Sequence, residues 1–253
     1  MTAPTTRIPG QPPRAELQVS GAGLTHLGRA RSENEDAILT DPSGVLWAIA
    51  DGMGGYGHGD VASDIVTRAL SDIPDTMLAT PALRAALQAA NTRIQAEAKA
   101  QGVGPFGATV VALMFQNGVA NIVWAGDCRA YLARQRCLRL LTRDHTVVQD
   151  MIDQGLLRGE DSQRHPDAHV VTRAVGYQAE LELDALSVPV IPGDIVVLCS
   201  DGLTACLGDH DIADHVAAWD DPQLLCAALV QSCLDRGAPD NVSVIAACVR
   251  EGH

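Results

Sequence analysis

The sequence predicts an α+β fold: a sandwich of mainly antiparallel sheets with helices outside. Three observations carry that expectation. Residues 107–133 hold three consecutive β-rich segments joined by tight turns, the pattern of an antiparallel meander and not of a parallel βαβ sheet. Helices come in pairs between two groups of strands. After residue 16 there is neither an internal repeat nor a linker, so residues 17–250 read as one domain.

Composition bounds the rest. Hydrophobic residues are 47% of 253 but aromatics only 3%, so the core is built from Val, Leu, Ile and Ala. No apolar run reaches the length of a membrane span and no secretory signal opens the chain, which together suggest a cytoplasmic protein. Seven cysteines without a CxxC pair point to free thiols in a reducing compartment. The net charge of −13 excludes a nucleic-acid surface. It tolerates an anionic substrate only where bound cations invert the local field.

Taken in order, residues 1–16 are rich in Pro and Thr and predict a disordered tail. Residues 17–26 are strand-like, and a charged loop follows over Gly28–Asp36. Residues 37–50 form a hairpin about the Asp41-Pro42-Ser43-Gly44 turn, and its second strand, Val45–Ala50, delivers Asp51 at its end. The turn Gly52-Met53-Gly54-Gly55 then leads to a helix capped by Asp60. A second helix has Thr80 as cap, Pro81 in its first turn and Gly102 as its stop. After the meander come a helix over Val147–Gln154, an irregular stretch over 155–169, extended structure over Val170–Val175 and a strand over Leu181–Val190. Asp194–Cys199 is a buried strand ending at Ser200-Asp201-Gly202. Helices follow over Asp211–Ala218 and after the Asp221 cap, and Pro239-Asp240-Asn241 turns into the last strand.

Asp36, Asp51, Asp201 and Asp240 thus recur in one setting, a loop at the edge of a strand, and Asp127 sits in a hairpin turn. All-oxygen donors without a His/Cys set suit Mg²⁺ or Mn²⁺ better than zinc. Two such ions can activate water and bind a phosphoryl oxygen. Arg31 is the guanidinium available to fork onto phosphate.

These segments resemble the metal-dependent serine/threonine protein phosphatases of type 2C, in their compact bacterial branch. The resemblance runs in the family's order through Arg31-Ser32-Glu33-Asn34-Glu35-Asp36, Asp51-Gly52-Met53-Gly54-Gly55, Gly107-Ala108-Thr109 and Ala125-Gly126-Asp127-Cys128-Arg129. It continues through Leu141–Thr146, Thr172–Gly176, Ser200-Asp201-Gly202-Leu203 and Pro239-Asp240-Asn241. It implies a four-layer αββα fold, a central antiparallel β-sandwich flanked by helix pairs on both sides. It implies an enzyme that hydrolyses phosphoserine and phosphothreonine in proteins by in-line attack of a metal-bridging hydroxide. In such an enzyme Asp51 bridges two ions, the Gly52 carbonyl joins the second and Asp201 and Asp240 complete the first. Asp36 holds waters of the second ion, with Glu35 nearby, while Asp127 and Asp201 take a third, weaker one. Arg31 grips the phosphate, Asn241 supports the ligands, and residues 146–170 form a flap. The expected cofactor is Mn²⁺ or Mg²⁺. The expected partners are a Ser/Thr kinase and its phosphorylated targets, with the protein itself a monomer.

Two departures from the family matter. Animal members carry a His two places after the bridging Asp, where this chain has Met53; a metal-held water or His58 is then left to protonate the leaving group. Cys128 replaces the usual Ser, either as harmless packing or as a thiol open to oxidation beside a metal site.

Overall fold

The computed structural model describes residues 17–252 apart from 42, 55 and 56; the predicted tail, Pro42 of the first turn and Gly55 of the glycine turn lie outside the described residues. Ten strands are described: β1 (Leu17–His26), β2 (Asp36–Thr40), β3 (Leu46–Gly54), β4 (Phe106–Gln116), β5 (Val119–Ala125), β6 (Arg129–Arg134), β7 (Cys137–Leu140), β8 (Asp184–Pro189), β9 (Ile195–Cys199) and β10 (Val242–Glu251). Six α-helices accompany them: α1 (Gly59–Ser71), α2 (Thr80–Gln101), α3 (Val147–Asp153), α4 (Asp201–Cys206), α5 (Asp209–Ala218) and α6 (Pro222–Asp235).

The strands form two five-stranded antiparallel sheets, in the orders β1-β10-β9-β6-β7 and β2-β3-β4-β5-β8. Alternation along the strands decides which layer each side chain joins. In β3, Trp47 and Ile49 face the opposite sheet and meet Leu198 and Ile245, whereas Ala48 and Ala50 face helices α1 and α2. The helix-facing positions are small, Ala48, Ala50 and Ala112 among them, which lets Ile65, Val66, Leu83 and Leu87 lie close on the sheet. On the other side α4, α5 and α6 cover Val197, Val244 and Ala246 through Leu203, Ile212 and Leu229. The result is the four-layer αββα sandwich that the sequence implies.

Four local expectations are corrected. The meander is two strands, not three: β4 and β5 pair, but at Gly126-Asp127 the chain crosses to the other sheet, where β6 joins β9 and β7. Strand β3 does not turn after Ala50 but runs extended through Asp51-Gly52-Met53-Gly54, paired to Thr109, Ala108, Gly107 and Phe106. Glycine is required at position 52 for approach and not for turning, since an added Cβ would lie 2.1 Å from the Gly59 carbonyl oxygen. Asp201 is no loop residue; it opens the short helix α4. Finally, 170–175 is no strand and makes only the isolated bridges Thr146↔Val171 and Ala108↔Val175. Those bridges anchor both ends of the predicted flap, whose interior holds α3 and a 3₁₀ turn over Gly159–Arg164.

Candidate metal and phosphate site

The β2–β3 ladder sets Asp36 directly opposite Asp51, and the β3–β4 ladder sets Thr109 opposite Asp51 on the other side. The end of β9 and the start of β10 bring Asp201 and Asp240 to the same end of the sandwich. The crossover between the sheets adds Asp127. Arg31, Asp51, Gly52, Asp127, Asp201 and Asp240 therefore line one cavity of about 510 Å³. The loop that carries Arg31 is tied to this end by Asn241. Its Oδ1 accepts from the Glu35 amide at 2.8 Å, and its Nδ2 donates to the carbonyls of Leu27 and Glu33 at 2.9 and 3.0 Å.

Asp36 is the one predicted site residue that does not line this cavity. Its carboxylate lies between the two sheets, where Oδ2 accepts from Ser200 Oγ at 2.9 Å and Ser243 Oγ at 2.6 Å. Its Oδ1 is buried with no hydrogen-bond partner. A buried carboxylate oxygen without a partner is costly unless a cation or ordered water serves it.

The electrostatics point the same way. Burial first, and then the charges of Asp36, Asp201, Asp127 and Asp240, push the Asp51 carboxyl well above its ordinary range. Burial, followed by Asp201 and Asp144, raises Asp127 to about 8. Burial raises Asp36 to about 7 against the pull of its two serine hydrogen bonds. Asp201 is raised by burial and then by Asp240. So many buried acids cannot ionise together without a counter-charge. Arg31 supplies part of it, donating to Asp240 Oδ2 at 2.7 Å while its guanidinium remains half exposed at the mouth.

Among the described residues no three acidic, His or Cys side chains close into a ready-made metal cage. The oxygen donors gathered here fit Mg²⁺ or Mn²⁺, which retain several waters and take one or two carboxylates each from the protein. The donors present, carboxylates and the Gly52 carbonyl, are the hard oxygens those ions prefer.

Three features escaped the sequence reading. Ser200 and Ser243 hold Asp36, and nothing in either residue's immediate sequence signals it. Thr109 Oγ1 lies 3.1 Å from Cys128 Sγ. His169, not His58, is the imidazole that lines the cavity. Of the two readings of Cys128 the structure favours packing: it is 1% exposed, and burial, with Asp51 and Asp127 adding to it, pushes its thiol well above an ordinary one. Among the described residues no helix is long and apolar enough to cross a membrane.

The family model for protein phosphatase 2C matches residues 22–231. The serine/threonine protein phosphatase PstP of Mycobacterium tuberculosis is 34% identical over 245 residues, covering 93% of this chain and 46% of that protein. The chain thus spans about half the length of that relative. The serine/threonine phosphatase Stp of Listeria welshimeri is 32% identical, covering 87% of this chain and 92% of its own length. The crystal structure of the PstP catalytic domain in complex with two manganese ions superposes with a TM-score of 0.85 at 31% identity, covering 93% of this chain and all of that one.

Proposed function

The chain belongs to the protein phosphatase 2C family, and from that premise we propose that it is a Mg²⁺- or Mn²⁺-dependent phosphatase of phosphoserine and phosphothreonine in proteins. The observation that carries this reading is the convergence of Arg31, Asp51, Gly52, Asp127, Asp201 and Asp240 on one cavity. Residues 17–250 act as one catalytic domain, with residues 146–170 as its flap.

Asp51, the Gly52 carbonyl, Asp201 and Asp240 would hold two core ions. Asp36 would fix the waters of one of them, and Asp127 with Asp201 would hold a third, weaker ion. Bound there, the ions supply positive charge for the phosphoryl oxygens and acidify water to a usable nucleophile near neutral pH. The protein's own part is positioning and charge. Arg31, half exposed and already turned into the site by Asp240, meets two phosphate oxygens with its planar fork. Water attacks phosphorus opposite the departing serine or threonine oxygen, with no phosphoenzyme. The partners that follow are phosphorylated proteins, with a Ser/Thr kinase and its targets as the natural set. The protein would work as a monomer in a bacterial cytoplasm.

The test is manganese-dependent release of phosphate from a phosphothreonine peptide. Wild-type protein should turn over. Asp51→Ala and Asp201→Asn should lose at least about 10²-fold in kcat, the scale set by removing one group that stabilises transition-state charge, and Met53→Ala should retain activity. An inert wild type, or an Asp201→Asn variant as fast as wild type, would overturn the reading.

A further inference from the structure

Departure of a serine or threonine alkoxide needs a proton, and the place that supplies it in animal members of the family holds Met53 here. The imidazoles on the page narrow the choice. Of the seven histidines among the described residues, only His169 lines the cavity of Arg31, Asp51, Asp201 and Asp240. His58 does not reach it; its ring packs edge-on against Phe106, with centroids 5.3 Å apart, and contacts the Gly57 carbonyl. His145 is buried against Trp124 and Asp184. His165 Nδ1 accepts from the Asp167 amide, and His215 meets Ser232. His26 accepts from the Gly28 amide, and His210 pairs with Asp214 on an exposed helix face.

His169 differs from all of these. Among the described residues its ring has no hydrogen-bond partner and no ion pair, and it shares the cavity lining with Asp201. It also lines the adjoining cleft of about 350 Å³ beneath the flap, so it stands where the two cavities meet. Its backbone is fixed on both sides. The Ala168 amide donates to the His165 carbonyl at 3.0 Å, the Val170 amide to Asp167 at 3.1 Å and the Val147 amide to Val170 at 2.9 Å. The bridge Thr146↔Val171 closes the flap's base two residues on. An imidazole there sits at the paired base of the flap, not on a loop tip.

We propose that His169 is the general acid of the reaction, donating its ring proton to the serine or threonine oxygen as that oxygen leaves phosphorus. The proposal rests on the hydrolytic reading above. The P–O bond breaks with its electron pair passing to the leaving oxygen, which takes the ring proton. Water supplies the hydroxyl that phosphorus gains, and the proton which that water loses returns to the ring through solvent. Imidazole is the side chain suited to that exchange near neutral pH.

The experiment compares two substrates that differ in leaving group. A phosphothreonine peptide expels an alkoxide and needs the proton; p-nitrophenyl phosphate expels an anion that is stable near neutral pH. His169→Gln and His169→Ala should each lose about 10²-fold in kcat on the peptide, the lower end of a general acid's contribution. That loss should exceed the loss on p-nitrophenyl phosphate by at least about 30-fold on the same scale. The midpoint of a manganese titration and the melting temperature should stay at their wild-type values. Equal losses on the two substrates, a change confined to KM, or no loss on the peptide would each overturn the proposal. A wild type inert on both substrates would instead overturn the hydrolytic reading itself, so the two failures are distinct.

Discussion

At the scale of single residues, the site is an arrangement of acids that destabilises the protein in the absence of metal. Asp36 at about 7 and Asp127 at about 8 lie above the ordinary carboxylate range, and Asp51 and Asp201 are displaced in the same direction. The folded state therefore holds protons that the unfolded chain has already released, and stability falls as pH rises. The contribution is intact below the unfolded carboxylate values near 4 and is lost as pH climbs through about 7 to 8. In EDTA, the melting temperature should fall between pH 5 and pH 9, and excess manganese should flatten or reverse that slope. Asp51→Asn removes one of the crowded charges. At pH 8 in EDTA it should melt at least about 2 °C above wild type, equivalent to about 1 kcal/mol for a domain of this size, while losing metal-dependent turnover. A flat metal-free pH profile would contradict the argument. The carboxylates themselves were legible in the sequence because Asp51 and Asp201 each follow a buried apolar run and Asp36 and Asp240 each stand just before a strand. Ser200, Ser243 and Thr109 were not, because their roles exist only across a ladder or between sheets.

At the scale of elements, strand ends and helix starts place the ligands, and their backbones meet too closely for any side chain. Gly202, in the first turn of α4, has the Asn241 carbonyl oxygen 1.9 Å from where a Cβ would sit. Gly202→Ala must push α4 away from β10, moving Asp201 relative to Asp240. It should cost about 1–3 kcal/mol, the usual range for overpacking, and lower manganese affinity together with activity. The contrast is Asp221, whose carboxylate caps α6 by accepting from the amides of Gln223 and Leu224, both at 2.9 Å. Asp221→Ala should cost about 0.5–2 kcal/mol and leave turnover alone. Thermal unfolding and manganese titration of the two variants separate these outcomes. If Gly202→Ala bound manganese like wild type, α4 would not be what positions Asp201. The longer helices were readable from spacing, and so were most strands, but of the expected N-terminal caps only Asp221 holds: α1 begins at Gly59 after His58 and α2 at Thr80 after Ala79, neither with a side-chain cap bond. Helix α4 was hidden because its six residues carry too little periodicity. The crossing at Gly126-Asp127 was hidden because a tight turn looks the same in sequence whether the next strand pairs with its neighbour or leaves for another sheet.

At the scale of the whole molecule, the site spans both sheets. Asp36 and Asp51 belong to one sheet; Ser200, Asp201, Asp240, Asn241 and Ser243 lie on or beside β9 and β10 of the other. Two bonds cross between the sheets at Asp36 Oδ2, from Ser200 and Ser243. Cations held by acids from both sides would join the sheets where the metal-free molecule has mutually repelling carboxylates. Binding should therefore stabilise the global fold and not only a loop. Linkage gives about 2.7 kcal/mol at a ligand concentration 100 times Kd, which for this length is a rise of roughly 5–10 °C in melting temperature. Asp201→Asn should show less than half that rise, and Ser243→Ala, which removes the 2.6 Å bond to Asp36, should show a smaller rise than wild type with a lower metal-free melting temperature. Differential scanning calorimetry with and without manganese measures all three. A single transition that shifts with manganese means the sheets unfold together with the site between them. Wild-type melting unmoved by millimolar manganese would mean that the acids gathered at this end do not hold ions across the sandwich.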